Sequence, residues 1–214
     1  PMPSSQDHKR AYDDDQGPNT GGMGTFSPSR VYTPDIAEVV EKTILKPTID
    51  AMNKEQRPFK GVLFLGLILT EKGPKLLEYN ARFGDPETQV VLPRLKTDLV
   101  EIFMAVVDER LDEIVIEWED NAAVCVELAS GGYPGSYTKG YTIHGIHEVE
   151  SQEGVMVFHA GTRKKENQYN TNGGRVLGVT AIAEDLDRAI QKAYNSVEQI
   201  KFTDMYYRKD IGRK

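Results

Sequence analysis

Two strand-like segments joined by a short turn constrain the fold of this chain more than any other feature. Residues 61–70 read GVLFLGLILT, residues 75–80 read KLLEYN, and the link between them contains glycine and proline. Apolar runs joined by a glycine-containing link of this kind predict a β-hairpin. Because successive side chains of a strand alternate between its faces, we expect Glu78 and Asn80 to share one face.

The end of this hairpin suggests chemistry on phosphate. A carboxylate and an amide oxygen are hard ligands, which Mg²⁺ takes when phosphate oxygens supply the rest of its shell. A compact turn, RFGDPE at residues 82–87, follows at once, and its Arg82 can grip an anionic oxygen in a forked geometry. The alternative is a solvated polar strand face, with Arg82 paired to Asp85 and Glu87 inside the turn.

A glycine-rich segment, GPNTGGMG at residues 17–24, is the second candidate site. It lies within residues 12–34, which have almost no hydrophobic period and which we predict to be a long loop. Successive glycines allow backbone N–H groups to converge on an anion, and the Thr20 hydroxyl adds a donor. The segment has no Walker lysine and no dinucleotide fingerprint, so it does not identify a nucleotide site by itself.

The third candidate is QDHKR at residues 6–10. Lys9 and Arg10 favour a phosphate or carboxylate, and His8 can donate a hydrogen bond or carry a proton. The alternative is an exposed charged turn.

The rest of the chain predicts an α+β protein. Hydrophobic periodicity predicts helices over residues 34–47 (with Pro47 ending or kinking the helix), 98–111 and 184–200, strands over residues 122–130, 141–146, 155–160 and 175–182, and a polar loop over residues 161–174. The acidic stretch at residues 114–121 suggests a boundary. We therefore predict two domains, residues 1–116 and residues 117–214.

Charge and composition exclude several partners. The formal net charge of −7 argues against nucleic acid, since no basic surplus exists to neutralise its phosphates. The apolar run at residues 62–69 is far shorter than the ~20 residues of a membrane helix, so we expect no membrane partner. The single cysteine of the chain, Cys125, cannot form an intrachain disulfide, which fits a cytoplasmic location.

Seven short motifs, taken together, resemble one enzyme family. They are, in chain order, QDHKR, GPNTGGMG, EYNARFGDPETQ, GGYPG, FHAGT, TNGGRVL and YRKDIG. This set is similar to the carboxyl-terminal half of the glycinamide ribonucleotide synthetase (phosphoribosylamine–glycine ligase) family of ATP-grasp enzymes, over essentially the whole chain. The resemblance implies the carboxyl-terminal part of an ATP-grasp module, an antiparallel sheet with helices, followed by a small α+β lobe.

The resemblance also implies an activity. Enzymes of this family use ATP to join glycine to 5-phosphoribosylamine through a glycyl phosphate, giving glycinamide ribonucleotide, ADP and phosphate in de novo purine synthesis. Mg²⁺ or Mn²⁺ is the implied cofactor. Family members carry further ATP-grasp residues ahead of QDHKR, so we expect this chain to be a fragment that is inactive alone, with the amino-terminal part as its covalent partner in a monomeric enzyme.

Matching positions assign roles to individual residues. Glu78 and Asn80 are implied to hold the metal. Arg82 and Asp85 are implied to be catalytic, with Arg82 facing the transferred phosphoryl group or the glycine carboxylate. The residues implied to bind small substrates, chiefly the ribose phosphate, are Asp7, His8, Lys9, Asn19, Thr20, Gly21, Gly22, Arg82 and Glu87. Two alternatives stay open: another ATP-grasp carboxylase or ligase, and a non-catalytic domain whose glycine-rich segments bind a partner.

Overall fold

The structure is a computed structural model that describes residues 1–213. The strands are β1 Gln6–Asp7, β2 Arg10–Tyr12, β3 Gln16–Asn19, β4 Gly24–Ser27, β5 Phe64–Thr70, β6 Gly73–Asn80, β7 Ala122–Ser130, β8 Val155–His159, β9 Thr162–Lys165, β10 Gln168–Thr171, β11 Arg175–Ala183 and β12 Met205–Tyr206. The α-helices are α1 Pro34–Val40, α2 Lys46–Lys54, α3 Thr88–Val91, α4 Leu99–Val107, α5 Ile146–Glu150 and α6 Leu186–Val197. No helix within residues 1–213 combines the length and apolar character needed to cross a bilayer.

The chain forms two compact units that alternate along the sequence. Unit 1 contains residues 1–28, residues 85–94 and the chain from Glu119 onward, and unit 2 contains Ser29–Gly84 and Leu95–Trp118. The change of unit after Trp118 lies close to the predicted boundary at residues 116/117. In space, however, residues 1–28 and 85–94 group with the carboxyl-terminal part. The linear division into residues 1–116 and 117–214 stays a prediction about sequence domains.

Unit 1 is built on a six-stranded antiparallel sheet with the order β1-β4-β7-β11-β8, in which β12 also pairs with β7. The central strand β7 reads AAVCVELAS, and all of its residues are buried. A strand covered on both faces has a nearly continuous apolar sequence, and this is why the sequence predicted it well. Helix α6 packs on β7 and β11, and it is capped at its start by Asp185, whose carboxylate accepts a hydrogen bond from Arg188 N at 2.8 Å.

Unit 2 contains the predicted hairpin. Strands β5 and β6 pair in antiparallel fashion, with Gly66 opposite Glu78 and Phe64 opposite Asn80. Helix α4 begins at the predicted position, because the Asp98 carboxylate accepts a hydrogen bond from Val100 N at 2.7 Å and caps the helix. The hairpin prediction and the α+β class are therefore confirmed.

The helix that begins after Thr33 continues past Pro47, so of the two predicted effects of this proline, ending or kinking the helix, the ending is not found. A π-helical turn, Glu41–Leu45, joins α1 to α2, and Pro47 lies in the first turn of α2. Proline lacks the amide N–H of an α-helical bond, and its ring crowds the carbonyl four residues earlier. The wider π turn accommodates this defect without ending the helix.

Three further expectations differ from the structure. The predicted loop at residues 12–34 contains β3 and β4, and all of β4 is buried although it reads GTFS. The predicted polar loop at residues 161–174 contains the hairpin of β9 and β10. Residues 141–146 form only isolated bridges, at Thr142 and His144, before α5 begins. Strand β4 and the hairpin of β9 and β10 lack an apolar alternation, and their pairing partners are set by tertiary context. Residues 141–146 do begin with an alternation, at Tyr141 and Ile143, yet form only isolated bridges.

Candidate functional site

Glu78 and Asn80 lie on the same face of β6, as expected. Asn80 Nδ2 donates a hydrogen bond to Glu78 Oε1 at 3.2 Å, and Arg82 Nη2 donates one to Asn80 Oδ1 at 3.3 Å. Opposite Glu78, a Cβ on Gly66 would lie 2.9 Å from Glu78 Cγ, so the glycine leaves room for the glutamate side chain. The three polar side chains form a hydrogen-bonded row in which Glu78 and Arg82 are exposed.

This row fits a divalent cation that is shared with phosphate. Residues 1–213 contain no group of three or more His, Cys, Asp or Glu side chains that would hold a metal by themselves. Mg²⁺ commonly takes only one or two protein ligands when phosphate oxygens and waters complete its octahedron. The amide nitrogen of Asn80 faces Glu78. To bind a cation beside Glu78, the amide group of Asn80 would flip so that its oxygen faces the cation. The donor set therefore suits the predicted metal site.

In unit 1, Asp85 and Glu87 find cationic partners far away in the sequence. Asp85 Oδ2 lies 3.0 Å from Arg175 Nη2, and Asp85 Oδ1 accepts a hydrogen bond from Gln89 Nε2 at 3.1 Å. Glu87 is buried, and its Oε1 lies 3.8 Å from Lys9 Nζ. The carboxylates of the turn are thus held by QDHKR and by β11.

The QDHKR segment is part of the fold and is not an exposed turn. Lys9 forms an ion pair with Asp7, the last residue of β1, which forms the start of the segment. Burial raises the pKa of Asp7 to about 6, and Lys9 opposes this rise. Burial disfavours the charged form of Lys9, but its attraction to Asp7 outweighs that effect and raises its pKa. The two carboxylates around Lys9 therefore hold an ammonium group in a fixed place.

His8 is buried beside Phe26 and is 4% exposed. Both of its ring nitrogens lack a hydrogen-bond partner among the described residues. Burial lowers the pKa of His8, and the positive charge of Arg208 lowers it further. A neutral, enclosed imidazole is a poor ligand for phosphate, so its role in substrate binding stays a prediction with little geometric support.

The backbone N–H groups at residues 20–23 already donate hydrogen bonds within the protein. The mechanism expected for this loop, free amides converging on an anion, is therefore not the arrangement found. The loop instead runs beside QDHKR, and its N–H groups bond to that segment, to Tyr133 and to Thr20 of the loop itself. Asn19 is exposed, and its side chain stays a candidate for substrate contact. The four bonds are Thr20 N to Lys9 O at 2.7 Å, Gly21 N to Tyr133 Oη at 3.0 Å, Gly22 N to Thr20 Oγ1 at 3.0 Å, and Met23 N to His8 O at 2.9 Å.

Gly22 lies where the QDHKR segment, the glycine-rich loop and the DPE turn of unit 1 meet. Its φ is +124°, and a Cβ there would lie 2.5 Å from Pro86 Cδ and 2.7 Å from Asp7 Oδ1. Only glycine fits a backbone in this conformation with neighbours this close. The predicted residues of QDHKR, of the glycine-rich loop and of the DPE turn are thus packed against one another.

Three residues of this cluster are not among the predicted site residues. Tyr133 and Arg175 contact the glycine-rich loop, and both lie in motifs that were recognised, GGYPG and TNGGRVL. Glu127 is 1% exposed, and burial raises its pKa to about 7 against the lowering effect of Arg175. Its signal was available, since it is the single charged residue in the apolar run AAVCVELA.

Comparisons with known proteins identify the family of this chain. The model of the phosphoribosylglycinamide synthetase ATP-grasp (A) domain matches residues 1–88, and that of the phosphoribosylglycinamide synthetase C domain matches residues 123–214. A phosphoribosylamine–glycine ligase from Synechocystis sp. is 52% identical over 100% of this chain and 51% of its own length. The trifunctional purine biosynthetic protein adenosine-3 of Gallus gallus is 53% identical over 99% of this chain and 21% of its own length.

Solved structures extend the likeness to the fold. The crystal structure of phosphoribosylamine–glycine ligase from Thermotoga maritima superposes with a TM-score of 0.85 at 35% identity, over 98% of this chain and 51% of that one. The biotin carboxylase domain of the 2-oxoglutarate carboxylase from Hydrogenobacter thermophilus shares the fold alone, with a TM-score of 0.61 at 18% identity over 87% of this chain and 40% of that one. The chain spans about half the length of the single-function ligases it matches. It belongs to the phosphoribosylglycinamide synthetase family of ATP-grasp proteins.

Proposed function

We propose that the protein carrying this chain joins glycine to 5-phosphoribosylamine at the expense of ATP, giving glycinamide ribonucleotide, ADP and phosphate. The observation that carries the proposal is the hydrogen-bonded row formed by Glu78 and Asn80 on one face of β6 and by Arg82 just beyond the strand, all within the family motif EYNARFGDPETQ. Relatives named for this reaction are 52% and 50% identical to the chain. Because the chain spans about half of their length, the activity is proposed for the whole protein.

The chemistry explains why a phosphoryl-transfer site is needed. A carboxylate acylates amines poorly, because oxide is a poor leaving group. We infer that a glycine carboxylate oxygen attacks the γ-phosphorus of ATP and ADP departs. The amine of phosphoribosylamine then attacks the carbonyl carbon of glycyl phosphate, phosphate leaves, and the nitrogen loses a proton. The protein mainly aligns anionic reactants and offsets their repulsion.

The row on β6 suits that task. Two like unit charges ~4 Å apart repel by about 4 kcal/mol at an effective dielectric of about 20. A divalent cation, Mg²⁺ or Mn²⁺, held by Glu78 and Asn80 would neutralise phosphate charge. Arg82 would turn its exposed guanidinium towards the transferred phosphoryl group or the glycine carboxylate, where its fork matches two oxygens.

We assign the binding of the ribose phosphate to residues of unit 1. Lys9 would meet the ribose phosphate, because Asp7 and Glu87 fix its ammonium group while leaving it exposed. Asp85 would serve as a catalytic carboxylate, and its ion pair with Arg175 would fix its orientation. A cytoplasmic location, a monomeric state and the lack of nucleic-acid partners remain predictions from the sequence.

The test is phosphate release by the full-length gene product, measured with each substrate omitted in turn. We expect release to require ATP, glycine and phosphoribosylamine together. Glu78→Ala should lower turnover by ~10³-fold or more, since it removes a metal ligand. The matched control is Glu71→Ala, which removes an exposed glutamate from the turn of the same hairpin and should leave turnover unchanged.

The alternatives predict different results. An ATP-grasp carboxylase would release phosphate with bicarbonate in place of glycine. A non-catalytic binding domain would show no substrate-dependent release, and Glu78→Ala would change nothing. Either result would refute the proposed ligase.

A further inference from the structure

Arg175, at the start of β11, joins two loops of unit 1 through one guanidinium group. Its Nη1 donates to the carbonyl oxygens of Gly21, Gly22 and Asp85 at 3.3, 3.4 and 3.3 Å. Its Nη2 forms the ion pair with the Asp85 carboxylate at 3.0 Å. The side chain is 17% exposed, and a Cβ on Gly21 would lie 3.2 Å from its Cζ. The guanidinium therefore lies directly under the loop backbone.

Tyr133 supports the same loop from a second side. Its hydroxyl accepts the Gly21 N–H at 3.0 Å. The tyrosine ring lies against the backbone of Gly174, where a side chain would overlap the ring. The consecutive residues Gly174 and Arg175 thus fix the loop twice, once through the ring of Tyr133 and once through the guanidinium.

These contacts matter because the glycine-rich loop has no free backbone N–H group at residues 20–23. The N–H groups of residues 20–23 are all used within the protein, so this segment does not bind an anion through free amides. What the loop can do is hold Lys9 and Asn19 in position. Lys9 O accepts bonds from both Thr20 N and Thr20 Oγ1, at 2.7 and 2.9 Å, so the loop and Lys9 are linked.

We propose that Arg175 is a positioning residue, which sets the affinity for phosphoribosylamine by holding the glycine-rich loop against the Asp85 turn, with Tyr133 as its second anchor. This inference rests on the proposed function and deepens it, because it gives a role to side chains outside the predicted site. Arg175 acts through the loop and the turn. A forked group is required, since one ammonium cannot bond three carbonyls and a carboxylate together.

The test uses the full-length enzyme and the variant Arg175→Lys, which keeps the charge and loses the fork. We expect the KM for phosphoribosylamine to rise about 10-fold or more, as for the loss of charge-assisted hydrogen bonds. The KM for ATP should stay within about twofold. The matched control is Arg163→Lys, at an exposed arginine on β9, which should change neither constant.

Tyr133→Phe provides a second variant that keeps the ring on Gly174 and removes only the acceptor for Gly21 N–H. It should raise the same KM by a few-fold, and it decides the question if Arg175→Lys does not fold. An unchanged KM for phosphoribosylamine, or equal changes in both KM values, would overturn the proposal.

Amide hydrogen exchange separates this inference from the proposed function. Both variants should exchange faster than wild type across residues 17–24, while the control should not. If the wild-type protein shows no ligase activity, the proposed function fails, and the exchange result still decides whether Arg175 holds the loop. Unchanged amide exchange in both variants would refute the proposal that Arg175 and Tyr133 hold the glycine-rich loop in place.

Discussion

Glu127→Gln is expected to remove most of a pH dependence from the stability of the unit 1 sheet. Glu127 is 1% exposed, and burial raises its pKa from the ordinary 4.5 to about 7. The folded protein therefore keeps a proton that the unfolded chain releases between about pH 4.5 and 7. Because the folded state binds more protons in this window, the free energy of unfolding falls as the pH rises through it.

The magnitude follows from the two pKa values. Each pKa unit corresponds to about 1.4 kcal/mol, so the ionised carboxylate costs the folded state about 3 kcal/mol above pH 7. A glutamine has nearly the same shape and does not ionise. The variant should match wild type near pH 4.5 and should be more stable by up to about 3 kcal/mol at pH 8.

Hydrogen exchange of β7 and β11, corrected for the intrinsic pH dependence of exchange, reports the opening free energy of this sheet. Asp7 titrates in part of the same window, so the quantity to compare is the difference between wild type and variant. Glu153→Gln, at an exposed glutamate of unit 1, serves as the control and should leave the profile unchanged. Parallel pH profiles for wild type and Glu127→Gln would refute the reasoning.

Two more predictions concern unit 1. Asp210→Asn removes a carboxylate that pairs with the fully buried Arg208. Burial tends to raise the pKa of Asp210, but the hydrogen bond and positive charge of Arg208 hold it far below its usual range. Thermal unfolding near pH 7 should therefore show that the variant loses about 3 kcal/mol of its free energy of unfolding. The exposed Asp204→Asn should leave the midpoint unchanged, and equal effects would contradict the buried pair. Gly22→Ala should lower ligase activity far more than the control Gly140→Ala. Both glycines have a positive φ, but of the two only Gly22 has atoms within 4 Å of the added Cβ. Equal losses of activity would show that backbone strain alone matters.

The sequence predicted those elements whose signal is local. Strand β7 is a continuous apolar run, α6 carries a stripe of apolar residues at helical spacing, and Glu78 and Asn80 share a face through strand alternation. Each of these needs only neighbouring residues, so hydrophobic periodicity and strand alternation were sufficient.

The rest depends on contacts between distant residues. Strand β4 has no apolar alternation and is a strand because β7 lies beside it. Arg175 is separated from the Gly21 carbonyl that it binds by 154 positions, and no spacing rule connects them. The burial of Glu127, which moves its pKa, likewise comes from the sheet around it. Motif recognition marked some of these positions, but their roles required the fold.

The alternation of the two units along the chain limits how the protein can be divided. Unit 1 is assembled from three separate stretches, with the segment 85–94 lying between the two halves of unit 2. A truncation before residue 119 would leave β4 without β7 and expose the unpaired backbone of a buried strand. A single continuous segment of the gene that preserves unit 1 must therefore carry all of unit 2, whereas one that preserves unit 2 must carry residues 85–94 of unit 1.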